Sequence, residues 1–143
     1  MVGAGAAKAQ DAAATYHDIE ATLGRVPTFF KLFPEGGVAG AWAEFKSVQL
    51  SPATALSGKE KELIGLAVAA QIPCSYCIYF HTAAAKANGA SDAEIREAVA
   101  MAAISRHWST VLNGMQADLN GFKQETDDVL RLASERKAAS AKP

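Results

Sequence analysis

Three observations predict an all-α protein built as one compact domain. The chain has 143 residues, 50% of them hydrophobic and 20% charged, which is enough for one real core and too few for a second domain. Alanine occurs 31 times, while Val, Ile and Thr together occur only 21 times, so helix formers far outnumber the β-branched residues that favour strands. Apolar residues also recur at helical spacing between recognisable starts and stops, and six or seven helices with no strand are expected.

Residues 1–14 are rich in Ala and Gly with little to bury, and residues 134–143 are polar. Both are expected as flexible tails around a helical domain spanning 15–133. Thr15 to Leu23 reads as a short helix ended by Gly24, and Val26-Pro27 opens an aromatic stretch, Phe29, Phe30 and Phe33, that stops at Pro34. A helix follows from about Val38 to Leu50, with Trp42, Phe45 and Gln49 on one stripe, closed by Ser51-Pro52.

Ser57-Gly58-Lys59-Glu60 is a capping box leading into Leu63, Ile64, Leu66, Ala67 and Ala70, and Ile72-Pro73 ends that helix. Proline suits a first helical turn, so Cys74 is expected at the start of the next helix and Cys77 a turn later, with Asn88-Gly89 as the stop. Ser91-Asp92-Ala93-Glu94 is a second capping box, followed by Ile95, Val99, Ala102 and Ala103. Trp108 to Leu119 and Phe122 to Leu132 give two further helical patterns. The two capping boxes lie 34 residues apart, but the sequences after them do not match and no solenoid is supported.

Fourteen basic against fifteen acidic residues give a net charge of -1, without the basic excess that binding to nucleic acid needs. The longest apolar candidate, Leu63 to Ile72, is broken by Gly65 and Gln71, so no membrane partner is expected. Met1 to Gln10 lacks the basic region and apolar core of a signal peptide. A cytoplasmic location is expected, or a periplasmic one if these small residues are the remnant of a trimmed signal.

Most of the functional information sits at Glu62, Cys74, Cys77 and His81. At about 100° per residue, positions 74, 77 and 81 fall within roughly 60° of one another on a helix. Cys77 and His81 are i and i+4, where an imidazole can take a thiol proton, and the positive end of the helix favours the thiolate of Cys74. Glu62 lies on the preceding helix, and an antiparallel pair joined by Gln71-Ile72-Pro73 brings its carboxylate back toward His81. The plainer alternative is that Glu60 and Glu62 are simply the acids of a helix's first turn.

Haem attachment is excluded, because Ile78 stands where that motif needs a histidine. Three readings of the cysteine pair remain: a zinc site of Cys74, Cys77, His81 and Glu62, two small buried hydrophobes beside a core histidine, or dithiol redox chemistry. The last is favoured, with no metal and no cofactor expected. Elsewhere, His107 beside Trp108 is a candidate for packing, pocket or subunit interface. Phe29, Phe30, Phe33 and Trp42 are candidates for core or for the wall of an apolar channel. Gly65 with its neighbouring alanines permits close helix approach, in the core or between subunits.

The string Glu62, Cys74-Ser75-Tyr76-Cys77, His81, followed by Asn88-Gly89-Ala90-Ser91 and an acidic helix start, resembles the AhpD-like alkylhydroperoxidases of the carboxymuconolactone decarboxylase superfamily. The match covers about residues 38–120. The resemblance implies an all-helical trimer or hexamer that reduces a small-molecule peroxide and is itself reduced by an external dithiol or protein reductant. By resemblance, Cys77 is the peroxidatic thiol, Cys74 the resolving thiol, and His81 with Glu62 the proton relay. One departure is Tyr76, which stands where the founding members carry a histidine, and its hydroxyl is a candidate for the relay. A redox-responsive helical oligomer or a thiol-disulfide oxidoreductase without peroxide turnover is the alternative. Lactone decarboxylation fits poorly, because the decarboxylase that names the superfamily lacks the cysteine pair.

Overall fold

The computed structural model describes residues 3–140, with side chains from residue 12 onward. Six α-helices form it: α1 (Gly3–Leu23), α2 (Glu35–Glu44), α3 (Gly58–Gln71), α4 (Ser75–Ala87), α5 (Asp92–Gly114) and α6 (Leu119–Ser140). A 3-10 turn covers Thr28–Leu32, and α2 runs on into a π-helical turn at Phe45–Leu50. No strand occurs among the described residues, as expected from the composition. Nor is any helix among them long and apolar enough to cross a membrane.

The punctuation read from the sequence is largely where the helices end. Gly24 and Gly89 adopt φ of 77° and 84°, the left-handed values that only glycine takes without strain. Both capping boxes are formed: the Ser57 and Ser91 hydroxyls accept from the backbone N–H of Glu60 and Glu94, whose carboxylates accept from the serine N–H in return.

Three helix extents differ from the expectation. α1 begins at Gly3 rather than Thr15 and buries Ala12, and α6 continues to Ser140 past the expected helix end at Leu132. Alanine and other good helix formers continue a helix without any apolar stripe to mark it. Residues 1–2 and 141–143 of the expected tails lie outside the described residues. The third difference is α5, which is continuous through Ser105–Ser109, so that Trp108 lies inside it and the break falls at Met115, before α6.

Two packing groups meet at the π-helical turn. In the first, α1 lies against α2 and the 3-10 turn, with Ile19, Phe30 and Trp42 buried together and Tyr16, Val26 and Phe45 around them. The Trp42 indole donates to Asp18 at 2.6 Å, and Lys46 donates to the same carboxylate at 2.8 Å, which with the indole holds the Asp18 carboxyl below the usual range. Phe30 and Trp42 are therefore core, while Phe29 and Phe33 stay about half exposed on the surface.

In the second group, α3 and α4 form the antiparallel pair predicted from their short connection. The start of α3 meets the end of α4, where a Cβ on Gly58 would run into the Asn88 side chain. Small buried residues, Ala69, Ala85, Ala90 and Ala102, let α3, α4 and α5 approach closely around Leu66. Phe45 ties the two groups together, its ring 5.9 Å from Trp42 and 6.2 Å from Phe80 of α4.

Candidate active site

α3 supplies the acid. Glu60 is spent in the capping box, where its contacts with Ser57 hold its carboxyl below the ordinary glutamate range. Glu62, two residues on, turns inward and is 4% exposed. The two acids thus part company: one serves the helix end, and the other is buried, which a carboxylate tolerates only with hydrogen-bonding partners.

Those partners come from two other elements. From α4, His81 places Nδ1 2.7 Å from Glu62 Oε2. From the π-helical turn, Gln49 donates through Nε2 to Oε1 at 3.1 Å and to Oε2 at 3.4 Å. The predicted Glu62–His81 approach is present, and Gln49 adds a third member that sequence reasoning placed only on an aromatic stripe. Phe80 stands edge-on to the His81 ring at 5.3 Å between centroids and shields it on one side.

Gly65 makes this arrangement sterically possible. It lies one turn after Glu62 on α3, and a Cβ there would meet the His81 ring, coming within 2.5 Å of Nδ1 and 2.8 Å of Nε2. Its lack of a side chain therefore serves the site as well as the close approach of the two helices.

α4 carries both sulfurs. Cys74 is the N-cap rather than a first-turn residue, with Pro73 just outside the helix, and its Sγ accepts from the Cys77 N–H at 3.2 Å. The Cys74 N–H bonds back to the Ala69 carbonyl of α3 at 3.1 Å, tying the dithiol to the end of the helix that carries Glu62. Cys74 and Cys77 form a disulfide with their Cα atoms 5.3 Å apart. Both are partly buried, so the bond remains within reach of solvent. With both sulfurs in this bond, neither is a thiolate ligand, and among the described residues no group of three or more His, Cys, Asp and Glu is placed to hold a metal ion.

Two further sequence candidates lie apart from this group. Tyr76 is 88% exposed and hydrogen-bonds to neither Glu62 nor His81. His107 is exposed on α5, its ring edge-on to Trp108 at 5.3 Å. The structure thus unites Glu62, His81 and Gln49, joins Cys74 to Cys77 one helical turn before His81, and leaves Tyr76 and His107 outside.

Comparison with known proteins agrees with the fold. The crystal structure of the alkylhydroperoxidase AhpD core from Rhodospirillum rubrum ATCC 11170 superposes with a TM-score of 0.67 at 28% identity, covering 83% of this chain and 90% of that one. Among curated proteins, none matches the sequence. The profile of the carboxymuconolactone decarboxylase family matches residues 37–118, a span that holds Gln49, Glu62, Gly65, both cysteines and His81. With more than half of its length inside that match and the AhpD core fold, the chain belongs to the carboxymuconolactone decarboxylase family, in its AhpD-like branch.

Proposed function

We propose that the protein is a dithiol peroxidase that reduces hydroperoxides through Cys77 and Cys74. The observation that carries this reading is the buried Glu62–His81 pair at 2.7 Å, standing one helical turn beyond a cysteine pair that forms a disulfide. A carboxylate bonded to one ring nitrogen leaves the other available as a base, and a base beside a thiol makes the thiolate that attacks peroxide.

In this mechanism His81 takes the Cys77 proton, and the thiolate attacks the terminal oxygen of ROOH. The O–O bond breaks, an S–O bond forms, and the alkoxide leaves as ROH with the proton returned by His81. The Cys74 thiol then attacks the sulfenic sulfur, forming the Cys74–Cys77 disulfide and releasing water. An external dithiol reduces that bond by exchange and is itself oxidised to a disulfide. The N-cap position of Cys74 supports this last step, since the Cys77 N–H bonded to its sulfur favours the thiolate that leaves.

Stopped-flow measurement of peroxide consumption with a small dithiol as donor tests the proposal. Turnover is expected in the native protein and should vanish in Cys77→Ser. Activity unchanged in that variant would overturn it. Stoichiometric thiol oxidation without turnover would favour the alternative of a redox-responsive oligomer. That alternative draws support from exposed apolar residues on α5 and α6, which we read as the contact between copies of the chain.

A further inference from the structure

The third member of the buried group does not belong to the dithiol string. Gln49 comes from a π-helical turn, a wider coil than the α-helix it continues, and such turns are frequent at functional sites because they re-aim the residues that follow. On an unbroken helix Gln49 would follow Trp42 and Phe45 along the aromatic core stripe. Here Phe45 stays on that stripe, stacked on Trp42, while Gln49 reaches across to α3 and meets the Glu62 carboxylate.

Hydrogen-bonding chemistry restricts what this contact can do. An ionised carboxylate only accepts, and a carboxamide can face it only with its NH2. His81 Nδ1 faces the same carboxylate and must carry its proton, which leaves Nε2 of the neutral ring unprotonated. The competing arrangement holds one proton more, a protonated Glu62 that donates O–H to Nδ1, so the two forms are compared at one fixed pH. That arrangement puts the ring proton on Nε2 and leaves no base for a thiol. With the Gln49 NH2 already offered to Oε1 at 3.1 Å and Oε2 at 3.4 Å, the carboxylate form has two N–H partners, and the competing form loses one of them.

We propose that Gln49 is a positioning residue that acts through Glu62 to fix His81 in the tautomer with its proton on Nδ1 and Nε2 free. The inference rests on the dithiol reading only for the use made of that nitrogen. The tautomer itself is a property of the resting protein and is measured without peroxide.

The test uses Gln49→Met, which keeps the side chain's length and removes its donor. In reduced, 15N-labelled protein at a pH where the ring is neutral, native His81 is expected to show a protonated Nδ1 and an unprotonated Nε2. In the variant the tautomer ratio should move toward the Nε2-protonated form by about tenfold, the size of losing one hydrogen bond to a charged group. Alkylation of Cys77 by iodoacetamide in a Cys74→Ser background should slow alongside it. An unchanged His81 spectrum would overturn the proposal, because Gln49 would then only fill space. If Gln49→Met does not fold, the native protein decides: the Gln49 carboxamide protons should exchange with water at least about tenfold more slowly than those of exposed Gln116 and Gln124. Equal exchange would likewise overturn it. Absence of peroxide turnover with the expected tautomer present would count against the peroxidase alone.

Discussion

The His81 imidazole occupies the space that a Cβ on Gly65 would need. Glu62 and Gly65 are one turn apart on α3, so the helix offers an acceptor and a gap side by side, and the ring fits both at once. Replacing Gly65 with Ala should therefore act on the site more than on the fold. Alanine gains up to about 1 kcal/mol of helix propensity, which offsets part of the clash, while the ring is pushed off the carboxylate. A displacement on the order of 1 Å can cost about a hundredfold in rate. The expected result is near-native helicity by circular dichroism with peroxide turnover, or Cys77 alkylation, lowered between tenfold and a hundredfold. Native rates in a folded Gly65→Ala would mean that the ring's position is not critical.

Different parts of this site were legible to different degrees. Ser57, Ser91, Gly24 and Gly89 announce helix ends through local chemistry, within three or four residues of the backbone groups they satisfy. The Glu62–His81 pair was readable because one short connection makes α3 and α4 antiparallel. Gln49 was not, since its role depends on a π-helical turn that breaks the 3.6-residue period from which its direction was judged. Gly65 announced a close approach but not what approaches. A helical pattern starting at Trp108 suggested a break near Ser105–Ser109, yet α5 runs through it, and Arg106 within that stretch bonds Gln71 at the end of α3.

The capping box of α5 also joins it to α3, and that joint should be sensitive to acid. Lys59 donates to Glu94 at 2.7 Å, and this contact, with the Ser91 N–H and hydroxyl, lowers the Glu94 pKa to about 2. A carboxyl whose pKa is depressed on folding stabilises the fold above its unfolded value. That contribution is lost as pH falls from the ordinary glutamate range toward 2. The group is solvent-exposed, so the effect is small and should weaken further in high salt. Thermal melts are expected to show a lower Tm for Glu94→Gln than for the native chain at neutral pH, with the two curves converging near pH 2. A constant gap down to that pH would mean that the ion pair contributes nothing and only the cap matters.

Ile19 is fully buried with Phe30 and Trp42, in the cluster that Tyr16, Val26 and Phe45 surround. Truncation to Ala should cost about 2–5 kcal/mol through lost burial and the cavity left behind. A guanidinium titration reads this as a lower midpoint with an unchanged slope. Because the first packing group reaches the site through the π-helical turn, by the Phe45–Phe80 contact and the Gln49–Glu62 bond and not through Ile19 itself, the His81 tautomer in the folded variant should match the native one. A shifted tautomer would show that the two groups are coupled more tightly than these contacts at the turn imply.

Beyond Arg106, whose guanidinium bonds Gln71 at the end of α3, α5 continues for two turns to Gly114. Along the exposed side run Met101, Ile104, Trp108 and Val111, with Met115 at the C-cap, spaced three and four residues apart in alternation as in the seam of a coiled coil. No other element among the described residues packs along α6, which exposes Leu119, Phe122, Val129 and Leu130. Exposed apolar stripes of this extent mark interaction surfaces, and we read a second copy of the chain as the occupant of both seams. Trp108 has the largest side chain in the α5 seam and is 55% exposed in the single chain. Trp108→Glu places a charge in the middle of that face, and on this reading sedimentation is expected to report an oligomer for the native protein and a single chain for the variant. If Trp108→Glu sediments with the native mass, the subunits meet elsewhere, and the seam on α5 is not their interface.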